Sequence, residues 1–78
     1  MARLRLFAAI REAAGTTVAD VPGATVGEVI DAAIERFGSV FADQVPVCRV
    51  WVNGEPADRA HPVVDTDEVA LLPPVSGG

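Results

Sequence analysis

The chain has 78 residues, half of them apolar, with a formal net charge of −5. That length makes one domain, and the apolar share suffices for a core and is too high for a disordered tail. The acidic balance argues against nucleic acid as the main partner, because phosphate binding needs a basic surface.

In chain order, "RLRLFA" (3–8) alternates, with Leu4 and Leu6 on one side and Arg3, Arg5 and Phe7 on the other. This is the pattern of a half-buried strand. "IREAAG" (10–15) predicts a turn or a single helical turn ending at Gly15. "TTVADV" (16–21) predicts a second strand in a hairpin with the first, stopped by Pro22-Gly23. Over 25–38 the residues Val26, Val29, Ile30, Ala33, Ile34 and Phe37 recur at helical spacing and form one apolar stripe. Thr25 and Glu28 have the spacing of a capping box, and Gly38 suits a left-handed C′ position. Glu28, Asp31 and Glu35 fall on the other side and read as a solvated face. "VCRVWVNG" (47–54) predicts a third strand with an Asn53-Gly54 turn. Pro56 and Pro62 allow only a very short edge strand within 55–64, and a last strand is predicted at 68–72. One main helix must then cover one face of a mixed four- or five-stranded sheet. The fold class is α+β, and the β-grasp of ubiquitin, with the last strand central beside the first, is the economical arrangement.

A single helix leaves one sheet face uncovered, and period-two alternation says which residues point there. If Leu4, Leu6, Val50, Val52, Val69 and Leu71 face the helix, then Arg5, Phe7, Arg49, Trp51, Ala70 and Leu72 face outward. A mixture of arginine, aromatic and aliphatic side chains is the composition of a protein-docking surface. Arg11, in the segment after the first strand, is grouped with this set.

Other chemistry is sparse. Cys48 is the sole cysteine, which excludes an intramolecular disulfide or a cysteine metal cluster, and its parity with Val50 and Val52 predicts a small core residue. His61 precedes Pro62 and has no companion for a metal site, so it reads as a loop residue. No phosphate loop or nucleophile elbow is present. All the basic residues are arginines, so no side-chain amine can be acylated by another copy. No stretch resembles a secretory leader or a membrane span, and the expected location is the cytosol.

The chain divides into a domain at 1–72 and a tail at 73–78, "PPVSGG". Six residues extended at about 3.3 Å each reach roughly 20 Å. Pro73 and Pro74 restrict the path to an extended form, Val75 and Ser76 carry it onward, and Gly77 and Gly78 have no side chain to block a narrow channel. Such an arm presents a slim carboxylate that becomes an electrophile only when another enzyme activates it.

"LFAAIREAAG" (6–15), "VWVNGE" (50–55) and "HPVVDTDEVALLPPVSGG" (61–78) together resemble the MoaD family, the small sulfur-carrier subunits of molybdopterin synthase. The resemblance implies a non-catalytic subunit with no bound cofactor. An ATP-consuming, MoeB-like activating enzyme would adenylate Gly78, and a sulfur donor would convert it to a thiocarboxylate. The MoaE-like large subunit would then take the tail, in a two-plus-two assembly, and use the sulfur for the molybdopterin dithiolene. The family's apolar partner contacts map to Phe7, Pro56 and Leu72. Thr66 stands where the family often has glycine, and Leu71-Leu72 where it often has phenylalanine. Carriers for thiazole or cysteine synthesis, a ubiquitin-like modifier joined through Gly78, and a plain binding module are the alternatives.

Overall fold

The computed structural model describes residues 1–73. The alternating N-terminal segment forms strand β1 (Ala2–Leu6), followed by helix α1 (Ala8–Ala14) and strand β2 (Val18–Val21). Helix α2 (Val26–Phe37) leads into a further helix, α3 (Ser39–Gln44), and a short 3-10 turn (Val45–Val47). Strands β3 (Arg49–Val52), β4 (Glu55–Pro56) and β5 (Glu68–Leu72) complete the chain. They make one five-stranded sheet in the order β2-β1-β5-β3-β4. β5 lies in the middle, parallel to β1 and antiparallel to β3. The predicted α+β, β-grasp arrangement is the observed one, down to the two-residue edge strand that contains Pro56.

The inner face carries Leu4, Leu6, Val52, Val69 and Leu71, and α2 lays Val26, Val29, Ile30 and Ala33 against them, all buried. Each of the valine, leucine and isoleucine side chains contributes about 1.5–3 kcal/mol by leaving water, and the Ala33 methyl less. At the start of α2 the Glu28 N–H donates to Thr25 Oγ1 at 3.2 Å. The Glu28 carboxylate reaches one residue further back than a standard box and accepts from the Ala24 N–H at 3.1 Å. The loop before β5 meets the remaining donors. The Val26 N–H donates to the His61 carbonyl and the Gly27 N–H to the Arg59 carbonyl, both at 2.9 Å. His61 is thus a loop residue whose carbonyl serves as a helix cap.

Several sequence expectations need correction. The strand read at 3–8 ends at Leu6, with Ala8 already in α1, the one read at 16–21 begins at Val18, and the one read at 47–54 runs only from Arg49 to Val52 after the 3-10 turn that takes Val47. Segment 10–15 is not a single turn but the second half of the two-turn helix α1, which ends at Gly15. Gly38 has the positive φ expected of it (93°), but its ψ of −168° is not the left-handed helical value. That backbone, open to glycine and costly for other residues, ends α2 and starts α3 with no intervening loop. α3 was not predicted, because six residues are too few to show a helical period. It nonetheless supplies Phe41, fully buried, with its ring centroid 5.2 Å from that of Phe37. Three helices, not one, therefore line the inner side.

Phe41→Ala should lower unfolding stability by about 3–5 kcal/mol, since the helices around it can close the cavity only in part. Urea unfolding monitored by circular dichroism would measure this, and a loss below about 1 kcal/mol would remove Phe41 from the core.

Candidate docking face and tail exit

The register turns the outer face into three rows across the sheet. At the start of β5, Asp20, Arg3 and Glu68 lie side by side. In the middle run Val18, Arg5, Ala70, Trp51 and Pro56. At the end of β5, Leu72 pairs with Arg49. Phe7 follows Leu6 in extended conformation (φ −134°, ψ 156°), which carries the alternation one residue further, beside Leu72. The predicted outward set Arg5, Phe7, Arg49, Trp51 and Leu72 is therefore on one face, and Pro56 joins it as the cross-strand neighbour of Trp51. Arg49 and Pro56 are exposed, and Phe7, Trp51 and Leu72 are half-buried. Arg11 is exposed and does not sit on a strand of this face. It is carried by α1, and its N–H donates to the Phe7 carbonyl at 3.3 Å.

Immediately after Phe7, Ala8 adopts a φ of 52°, an uncommon value for a residue with a Cβ. The bend takes the chain off the sheet into α1 and leaves Phe7 as the last residue of that strand on the outer face.

Charge is graded along β5. Arg5 Nε lies 3.2 Å from Glu68 Oε1, with the two side chains 43% and 40% exposed. The same Nε has no aligned hydrogen-bond acceptor, so the contact is an ion pair without a directed bond and contributes at most about 1 kcal/mol. Arg49, by contrast, has no ion-pair partner among the described residues. The sheet is polar where β5 begins and becomes apolar, with one cation, where β5 ends. That end is where the chain leaves the sheet: Pro73 is exposed directly after Leu72. Pro74, Val75, Ser76, Gly77 and Gly78, to which the tail role was assigned, lie outside the described residues.

The opposite end of β5 is held by a polar clasp that the sequence reading did not find. Asn53 Nδ2 donates to Asp67 Oδ1, and Asn53 Oδ1 accepts from the Glu68 N–H, both at 2.9 Å. Asp67 Oδ2 accepts from the Val64 N–H at 2.9 Å, closing the turn at Asp65-Thr66. Asn53 and Gly54 have φ of 50° and 86°, the pair of positive values that a two-residue hairpin turn requires. Thr66 has no positive φ, so this turn does not need the glycine often found there. A visible cue did exist: asparagine in a turn and aspartate one residue before a strand are the side chains that bond nearby backbone.

Cys48 is half-buried against the core, with Sγ 3.2 Å from the Gln44 carbonyl, and burial pushes its thiol pKa up. It is not poised as a nucleophile. Among the described residues no group of His, Cys, Asp or Glu side chains could hold a metal ion. No helix of the described residues is long and apolar enough to cross a membrane. A broad open depression lined by Gly23, Glu28, Val63, Asp65 and Thr66 lies at the start of α2 and has no Arg, His or Cys in its lining.

A mixed five-stranded sheet with its last strand central, packed on α2, is the ubiquitin-like β-grasp fold. Residues 4–78 match the ThiS family, and the chain belongs to that family of ubiquitin-like sulfur carriers. The sequence is 40% identical over 84 residues to small archaeal modifier protein 1 of Haloferax volcanii, covering 95% of this chain and 97% of that protein. The crystal structure of that archaeal protein superposes with a TM-score of 0.80 at 36% identity, over 97% of each chain. The Amycolatopsis orientalis BexX/CysO complex contains a chain that matches with a TM-score of 0.83 and 27% identity, over 100% of both chains. The complex of subunits 1 and 2 of the molybdopterin-converting factor from Helicobacter pylori shares the fold, with a TM-score of 0.72 at 24% identity, over 99% of this chain and 97% of that chain.

The clasp makes a pH prediction. The bonds from the Val64 N–H and then the Asn53 side chain hold the Asp67 carboxyl below its ordinary pKa, with a smaller contribution from His61. A depressed carboxylate stabilises the fold above its unfolded pKa, and that contribution is lost as pH falls through the native value. The Asp67 carboxyl resonance should therefore titrate lower than that of an unfolded peptide. Asp67→Asn should flatten the decline in stability between about pH 5 and pH 2. An unchanged pH profile would remove Asp67 as a contributor.

Proposed function

We propose that this chain carries sulfur on its C-terminus for a partner enzyme, and that the partner is the large subunit of molybdopterin synthase. The Gly78 carboxylate attacks the α-phosphate of ATP on an activating enzyme, forming an acyl-adenylate and releasing pyrophosphate. Hydrosulfide-level sulfur from a donor then attacks the acyl carbon, AMP leaves, and the product is a thiocarboxylate, which is ionised at neutral pH and is a good sulfur donor. The catalytic groups for activation and for use of the sulfur belong to the partners. This chain contributes the arm and the surface that addresses it.

The observation that carries this reading is the position of the apolar end of the outer face. Phe7, Leu72 and Arg49 flank the point where β5 releases the chain toward the Gly77-Gly78 end. A partner that docks there receives the tail in the same event, so binding energy from the face positions the carboxylate. Trp51 and Pro56 extend that surface toward β4, and Arg5 toward β1.

A second reading, conjugation of Gly78 to lysine amines of other proteins, is favoured by the 40% identity to small archaeal modifier protein 1. An acyl-adenylate reacts with amines as well as with sulfur. The absence of lysine from this chain would then confine it to the donor role as far as side chains are concerned.

Intact-mass analysis of the protein purified from its own cells separates the readings. A carrier shows a form heavier by the exchange of one oxygen for one sulfur, whereas a modifier appears in isopeptide-linked conjugates. Neither species, together with full activity of a chain lacking Gly77 and Gly78, would end both. For the docking surface, Phe7→Asp should weaken binding to the large subunit at least about tenfold by calorimetry with the circular dichroism spectrum retained. Unchanged affinity would take Phe7 out of the contact.

A further inference from the structure

We infer that Thr16 and Arg36 close the β2 edge of the sheet against the addition of a strand from another copy of this chain. The inference concerns the edge of β2 and stands whatever the tail carries. The Leu6 N–H donates to the Thr17 carbonyl at 2.8 Å, which sets the phase of the β1–β2 ladder. With the register Leu4↔Ala19 and Ala2↔Val21, the backbone groups of Ala19 and Val21 point toward β1. The N–H and C=O groups of Val18 and Asp20 then point away from the sheet. Such a row is a template for a strand from another molecule.

Side chains already occupy most of it. Thr16 Oγ1 donates to the Val18 carbonyl at 2.9 Å and accepts from the Val18 N–H at 3.4 Å. Arg36, from the last turn of α2, donates through Nη1 to the Asp20 carbonyl at 3.2 Å. Among the described residues the Asp20 N–H is the outward group left without a partner. An incoming strand would have to displace both side chains before it gained its own bonds, and a single donor does not make a ladder. The opposite edge is blunted differently. β4 has only two residues, and Pro56 has no N–H to donate. Half the residues of this chain are apolar, so an open edge would be an aggregation hazard. It would also compete with docking through the face.

The test uses the full chain. Sedimentation velocity over a concentration series should show the wild type as a monomer throughout. The folded Thr16→Val/Arg36→Ala double variant should self-associate as concentration rises, and the Asp20 amide should become slower to exchange with deuterium in the associated form. The conservative pair Thr16→Ser/Arg36→Lys keeps a hydroxyl and a cationic donor at the edge and should remain monomeric. If the double variant does not fold, Arg36→Ala alone removes an exposed side chain and opens the Asp20 end, with the same association expected in weaker form. A folded variant that stays monomeric over the range, or one that associates without protecting the Asp20 amide, overturns the inference.

Discussion

The structure depends on one pairing constraint: the last strand sits in the middle of the sheet. β5 takes hydrogen bonds from β1 on one side and β3 on the other, and its Val69 and Leu71 are fully buried beneath α2. Its far end therefore cannot wander, although it is the end of the described chain. A terminal segment that leaves an edge strand inherits that strand's fraying. One that leaves the central strand inherits the rigidity of the whole domain. The Asn53–Asp67 clasp fixes where β5 starts, and the central pairing fixes where it stops. Between them they fix both ends of β5, and with them the position of Leu72.

The same strand organises the chemistry of the surface. Because side chains alternate, the residues that bury β5 and those that address a partner are interleaved one by one: Val69 and Leu71 inward, Ala70 and Leu72 outward. Neighbouring strands obey the same phase, so the outer rows are a necessary by-product of the inner core. Slipping the register by one residue would exchange the two sets and destroy core and docking face together. This coupling lets a chain of 78 residues build a core on one sheet face and keep the other uncovered without a separate domain.

Much of this was legible in the residues because β-strand and helix periods are local. The alternation in 3–8, the stripe from Val26 to Phe37 and the Asn53-Gly54 turn each carry their own signal, and the observed elements fall on them. What escaped was tertiary. Phe41 is a buried anchor, yet its helix is too short to show a period, and its burial depends on the turn at Gly38. Arg11 lies on α1, beyond the bend at Ala8, where strand alternation has no say in its placement. The clasp joins Asn53 to Asp67 across strands that only the fold brings together. The guards of the β2 edge were invisible for the same reason, since Arg36 reaches Asp20 from sixteen residues away.

A carrier that hands its cargo from one enzyme to another faces a particular physical requirement. Each partner must hold it firmly enough to place the tail, and loosely enough to release it to the next. An added β-strand would bring many backbone bonds and long residence, whereas a face of half-buried apolar side chains with a few cations gives a modest area and affinity set by a handful of contacts. Closing the edges removes the first mode and leaves the second. On the proposed function, partners that use this one face would compete for it, so the carrier would be held by one at a time. Exclusive docking of this kind would keep the two partners from holding the carrier together, and the relative affinities of its loaded and unloaded forms would then set the direction of transfer.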